Sequence, residues 1–196
     1  TTSFTYDAHG RLISATDPAS EVTNFQYDAA GNLTQTTLPT GEIITRTYDE
    51  RGRLLSVDNP ATGMVEYTYD GDGNLASLSN ALGHSKTFQR NEIDQLVSVT
   101  DPLGNIESFT YTDTGALSSY IDALGNSTQF AYDVFDRVTQ RTDPLGRVVQ
   151  FTYDAADNTV SQTLPSGKQL QFAYDALDRN TQIDSGTDTV TFTYDA

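Results

Sequence analysis

The sequence predicts an all-β chain built as an array of antiparallel β-hairpins, about 21 residues per unit. Three observations predict it. An aromatic anchor recurs every 21 residues, apolar and small polar residues alternate around it, and turn signals return about every ten residues. From Phe4 the anchors run Phe25, Arg46, Tyr67, Phe88, Phe109, Phe130, Phe151 and Phe172, with a shortened step to Phe192. Numbering each unit from its anchor, position 3 is Tyr in nine of ten units, from Tyr6 to Tyr194, with Arg90 the exception. Position 4 is Asp in eight of ten, broken by Asn91 and Thr112. All six prolines, from Pro18 to Pro165, fall at position 15. Nine units and a terminal stub fill residues 1–196 as one repeat array.

The first strand of each unit centres on positions 20 to 3. Segments such as Phe109-Thr110-Tyr111 and Val149 to Tyr153 alternate aromatic or branched residues with small polar ones, the period of a half-buried strand. A turn follows: Asp28-Ala29-Ala30-Gly31 places Asp first, where it bonds local backbone, and Gly fourth, where positive φ is needed. Where that fourth residue is not Gly it is Asp (Asp94, Asp136, Asp157, Asp178), one of the few residues that tolerate positive φ. The second strand opens at position 9 with Leu12, Leu33, Leu54, Leu75, Leu96 and Leu117, weakening to Val138, Thr159 and Asn180. Position 11 is Ser or Gln in all nine full units, which suggests a solvated face. A second turn of the same chemistry, as in Asp101-Pro102-Leu103-Gly104, closes the unit. Equivalent residues of successive hairpins lie about 10 Å apart, too far for Tyr to stack on Tyr, so Leu fills the gaps in a Tyr–Leu stripe. The count is about 18 strands and no helix.

Composition narrows the function. A net charge of −16 argues against nucleic acid and anionic membrane as partners. No apolar run reaches the roughly 20 residues of a membrane helix, and residues 1–11 lack the apolar stretch of a signal peptide. Without Cys there is no disulfide or thiolate. The repeated Asp residues could suggest calcium, but turn-opening Asp explains them and no EF-hand spacing occurs. His9 and His84 lie in turns 75 positions apart and read as exposed. Asp70 and Asp72 share an Asp-Gly-Asp-Gly turn and read as solvated rather than as an acid/base pair. No catalytic, cofactor or metal residue is assigned, and the chain does not read as an enzyme. The Tyr ladder could serve as a sugar platform, although alternation places it on the more apolar face.

Phe25-Gln26-Tyr27-Asp28-Ala29-Ala30-Gly31-Asn32-Leu33, followed by Pro39-Thr40-Gly41, resembles the YD repeat, also called the RHS repeat. The resemblance covers the whole chain. Related families are bacterial Rhs polymorphic toxins, the B and C components of toxin complexes, and teneurin-like proteins. It implies hairpins spiralling into a hollow shell, a secreted or bacterial cell-surface setting, and an enclosed C-terminal toxin or effector domain as cargo. Flanking repeats of a parent protein are the other implied partner, with self-association through open sheet edges possible. The alternative is an adhesion module that recognises carbohydrate or protein through one sheet face. Bacterial members end the shell with an Asp-Pro-x-Gly element and a Gly-x-Asn-x-Tyr stretch; Asp101-Pro102 and Asp143-Pro144 are not followed by the latter. The chain reads as a fragment of a larger array.

The fifth unit departs most, with Phe88-Gln89-Arg90-Asn91-Glu92-Ile93-Asp94 at the motif. Alternation puts Lys86, Phe88 and Arg90 on one face, with Glu107 as a candidate partner for Arg90. The competing expectation is that Arg90 lays its stem on the aromatic stripe and keeps its head in water.

Overall fold

The computed structural model describes residues 1–195. Nineteen strands and no helix are found among them. The chain divides into two compact units, Thr1–Asn105 and a second beginning at Ile106. The first holds β1 (Ser3–Tyr6), β2 (Leu12–Thr16), β3 (Val22–Tyr27), β4 (Leu33–Thr37), β5 (Ile43–Tyr48), β6 (Leu54–Asn59), β7 (Gly63–Tyr69), β8 (Leu75–Asn80), β9 (Ser85–Arg90) and β10 (Leu96–Thr100). The second holds β11 (Ile106–Tyr111), β12 (Leu117–Ile121), β13 (Ser127–Tyr132), β14 (Val138–Thr142), β15 (Val148–Tyr153), β16 (Thr159–Thr163), β17 (Gln169–Tyr174), β18 (Asn180–Asp184) and β19 (Thr189–Thr191). Within each unit every strand pairs antiparallel with its sequence neighbour. The strands fall where the alternation predicts them, Val148–Tyr153 against an expected Val149 to Tyr153 and Leu96–Thr100 against Leu96 to Val99.

The turns form as their residues require. In Asp28 to Asn32, the Gly31 N–H donates to the Asp28 carbonyl at 3.1 Å and the Asp28 N–H to the Asn32 carbonyl at 3.0 Å. This is a type I turn closed by a residue of positive φ, a common three-residue hairpin connection. Gly31 adopts φ 94°, and Asp94, Asp136, Asp157 and Asp178 take φ of 57–69° at the equivalent place. The sequence expectation for those four aspartates holds.

A bulge recurs in every hairpin. Tyr27 pairs with Leu33 but Gln26 with Gln35, so one extra residue of the second strand is taken up between them. The shift keeps Tyr and Leu on one face, with the anchor and position 12 beside them, as in Phe25 opposite Thr36. The opposite face carries small polar pairs, Thr47 with Ser56 and Thr152 with Ser161, joined hydroxyl to hydroxyl at 2.6 and 2.7 Å. Here the sequence reading needs correction. Position 2 is exposed on that face, but position 11 is not: Ser56 is only 9% exposed. Its strand lies between two neighbours, and a side chain this short is shaded by both.

Neither unit encloses a conventional core. Val99, 7% exposed, is the one buried apolar residue among the described residues, and none is fully buried. The chain leaves 12732 Å² accessible, against about 9,100 Å² for a globular monomer of its mass. Aromatic and aliphatic residues are half-buried by strand neighbours rather than covered by a second layer.

Candidate functional site

The repeated feature that the sequence pattern did not explain is the choice of Tyr over Phe at position 3. Anchors are mostly Phe, yet the residue two places on is never Phe. The structure supplies the reason. Pairing between β2 and β3 covers only Ser14 to Thr16, which leaves the Leu12 carbonyl without a strand partner on that side. The Tyr27 hydroxyl donates to it at 2.9 Å. Tyr48 donates to Leu33, Tyr69 to Leu54, Tyr132 to Leu117, Tyr153 to Val138 and Tyr174 to Thr159, all at 2.7–2.9 Å. Tyr194 repeats the bond to Asn180 at 2.7 Å. Each of these seven tyrosines therefore clasps its hairpin to the preceding one, through an acceptor independent of the side chain at position 9. That explains why Leu can drift to Val, Thr and Asn there while Tyr stays.

Position 8 completes the joint. Arg11 donates from Nε to the Asp7 carboxylate at 2.7 Å and lies over the Tyr27 ring, 4.9 Å from its centroid. Arg53 over Tyr69 and Arg179 over Tyr194 repeat this at 4.5 and 4.6 Å. Arg137 is held by Asp133 and Asp157 at 2.7 and 2.8 Å, stacks on Tyr153 at 4.8 Å and also bonds the Asp154 carbonyl. It lies against a cleft of about 300 Å³ lined by Phe135, Arg137, Asp154, Ala155 and Asp157. Where position 8 is Asn and the next turn carries Asp at position 7, the amide reaches that Asp as well as its own: Asn74 to Asp94 at 2.9 Å and Asn158 to Asp178 at 2.8 Å, whereas Asn32, followed by Gly52, bonds Asp28 of its own turn at 2.9 Å. Position 8 is Arg or Asn in seven of nine units, a signal in the sequence, but the partner it meets one unit on is revealed only by register.

The Asp ladder is committed to its own turns. Asp70 Oδ1 accepts N–H bonds from Asp72, Gly73 and Asn74, so Asp70 and Asp72 are donor-linked turn residues and Asp72 is exposed. These bonds hold the carboxyls below their usual range. In Asp7, lowered to about 2, and in Asp49, Asp70 and Asp154, the main cause is the backbone N–H at position 8. In Asp28, Asp133 and Asp175 it is the side chain at position 8, and in Asp101 and Asp122 the corresponding Asn of the second turn. His9 and His84 are exposed, each donating its N–H to the residue that opens its turn. Arg90 is exposed and donates to the Asp94 carbonyl at 2.9 Å, which agrees with the solvated expectation. The bulge of this hairpin takes its extra residue from β10, between Leu96 and Ser98, so alternation along β9 is unbroken: Lys86 pairs with Leu78 and Phe88 with Val99, and Lys86, Phe88 and Arg90 share the aromatic face.

The profile of the Teneurin YD-shell family matches residues 1–184. The chain belongs to the Teneurin YD-shell family. This YD-shell segment is also similar to two crystal structures, TcdB2-TccC3 and TcdB2-TccC3 without its hypervariable C-terminal region. Each gives a TM-score of 0.71 at 19% identity, over 99% of this chain and 12% of the other. A Photorhabdus luminescens Tc holotoxin pore structure aligns with a TM-score of 0.50 at 16% identity, over 94% of this chain and 12% of that one. The segment thus spans about an eighth of the solved chains it matches, and at these identities the likeness shows a shared fold. No curated protein sequence matches.

Proposed function

We propose that this YD-shell segment is a length of wall, one arc of repeats in a larger protein whose shell encloses or displays a C-terminal toxin or effector domain. The observation that carries the reading is the clasp. The tyrosine hydroxyls at position 3 reach the main chain of the preceding hairpin, and the arginines at position 8 stack on the tyrosine of the following one, so these contacts join one hairpin to the next. Such a design builds an extended sheet. Residues 1–196 are read as part of a longer array, with flanking repeats as its immediate partners and a secreted or bacterial cell-surface setting. The chain is assigned no catalytic role. A sugar platform is disfavoured because the Tyr hydroxyls that would recognise it are bonded to main-chain carbonyls.

The test is limited proteolysis of the full-length protein that carries this array. The reading expects its C-terminal domain to resist cleavage in the wild type and to be cut in a Tyr132→Arg, Tyr153→Arg double variant. A C-terminal domain cut equally fast in both would overturn it.

A further inference from the structure

We infer that the aromatic face of β1–β10 docks an extended acidic and apolar polypeptide segment, in spite of the chain's net charge of −16. Register makes this face continuous. Phe4 lies opposite Ala15 and Ala15 opposite Thr23; Phe25, Thr36 and Ile44 follow. Arg46, Val57 and Val65 continue it to Tyr67, Leu78, Lys86, Phe88 and Val99. Residues opposite one another in a ladder share a face, so the strand charges can be assigned by side.

The partition is complete. The strands of this unit contain five charged residues, Arg46, Asp58, Glu66, Lys86 and Arg90. The three cations lie on the aromatic face. Asp58 and Glu66 pair with Thr45 and Ser56 on the opposite one. The remaining carboxylates of residues 1–105 sit in turns and loops. Arg11 and Arg53, at turns, are each paired with an Asp. Within residues 1–105 no carboxylate pairs with the face cations: Arg46 donates to the Thr36 hydroxyl, Arg90 to a carbonyl, and Lys86 lies 5.7 Å over the Phe88 ring. Cations gathered on one half-buried apolar face, in a chain this acidic, complement a carboxylate-bearing partner.

Spacing specifies that partner further. Lys86, Phe88 and Arg90 alternate along β9, so the two charges stand about 13 Å apart with a ring between them. A strand-like segment laid along β9 matches them when it carries a carboxylate, an apolar residue and a carboxylate at alternate positions. The proposal concerns this face alone and does not depend on the shell reading.

The test uses the purified chain and a fluorescein-labelled Glu-Thr-Leu-Thr-Glu peptide, its Lys-for-Glu counterpart, and a scrambled Glu-Glu-Leu-Thr-Thr version, read by anisotropy. The Glu peptide is expected to bind tighter than both. Net charge alone predicts that the Lys peptide wins. Charge reversal by Lys86→Glu with Arg90→Glu should weaken Glu-peptide binding by about tenfold, an attraction being replaced by repulsion at two partly exposed positions. Glu66→Lys on the opposite face should leave it unchanged. Arg90→Tyr, which restores the clasp residue and folds at least as well, should also weaken it. Tighter binding of the Lys peptide, equal binding of the scrambled one, or indifference to the charge reversal overturns the proposal. Indifference would place the peptide on an open strand edge. Because peptide binding and proteolytic protection are separate readouts, either can fail while the other stands.

Discussion

One hydroxyl oxygen separates the residue that holds neighbouring hairpins together from the residue that merely packs between them. Tyr132 donates to the Leu117 carbonyl at 2.7 Å. Tyr132→Phe keeps the ring and removes that bond, and is expected to cost about 1 kcal/mol, or about 2–4 °C in Tm for a chain of this length. Tyr132→Arg should lower Tm further by removing the ring as well. Arg90 is the natural version of that loss, since nothing at position 90 can donate from a Tyr hydroxyl to the Leu75 carbonyl. Arg90→Tyr is therefore expected to raise Tm, measured by thermal melts followed in the far ultraviolet. A fall in Tm would show that Arg90 is a positioned residue.

At the scale of the element, the turn is the unit of design. Asp7 accepts N–H bonds from His9 and Arg11 and a third from the Arg11 side chain. Its carboxyl falls from an ordinary 3.8 to about 2, led by the Arg11 backbone N–H. The sign follows directly. A carboxylate with a lower pKa folded than unfolded stabilises the folded state fully above its unfolded value, and that stability drains away as pH drops through the folded one. With Asp28, Asp49, Asp70, Asp133, Asp154 and Asp175 lowered in the same direction, Tm should hold above about pH 5 and fall steeply between about pH 4 and pH 2. A Tm that is flat across that window would contradict the role given to these turns. Arg53 offers a gain-of-function counterpart. Its Nη1 is buried without a partner, whereas Asp157 supplies one to Arg137 in the equivalent joint. Gly73→Asp should raise Tm as φ at position 73 closes from 99° to the 57–69° that Asp adopts at four equivalent positions and the Arg53 guanidinium, 3.3 Å from the added Cβ, shifts to meet the carboxylate, and the gain should vanish in an Arg53→Ala background.

The turns were legible in the sequence because Asp, Pro and Gly act through neighbours within four residues. Strand placement was legible too, since alternation is local. The Tyr clasp was not, because its acceptor is a main-chain atom 15 residues earlier and the bulge at positions 9 to 11 sets the alignment. The shading of Ser56 was missed for a related reason: burial of a small side chain depends on two flanking strands, not on its own polarity.

At the scale of the whole molecule, stability comes from a sum of joints rather than from a core. With Val99 the one buried apolar residue among the described residues, a single core substitution has little to collapse. Losses should instead be local and additive along the chain, as in other repeat architectures. Open strand edges and half-covered aromatic rows favour self-association, so sedimentation velocity is expected to show concentration-dependent growth. A species that stays monomeric at all concentrations would contradict that.

The claim beneath all of this is that the chain is a ladder of equivalent hairpins joined one to the next. Residue-resolved amide hydrogen exchange tests it most directly. Protection should rise and fall with a 21-residue period, peaking in both strands of each unit and dipping at both turns, with its weakest crest at the β8–β9 joint beside Arg90. Protection gathered into one contiguous block, with the remaining units exchanging freely, would contradict the account.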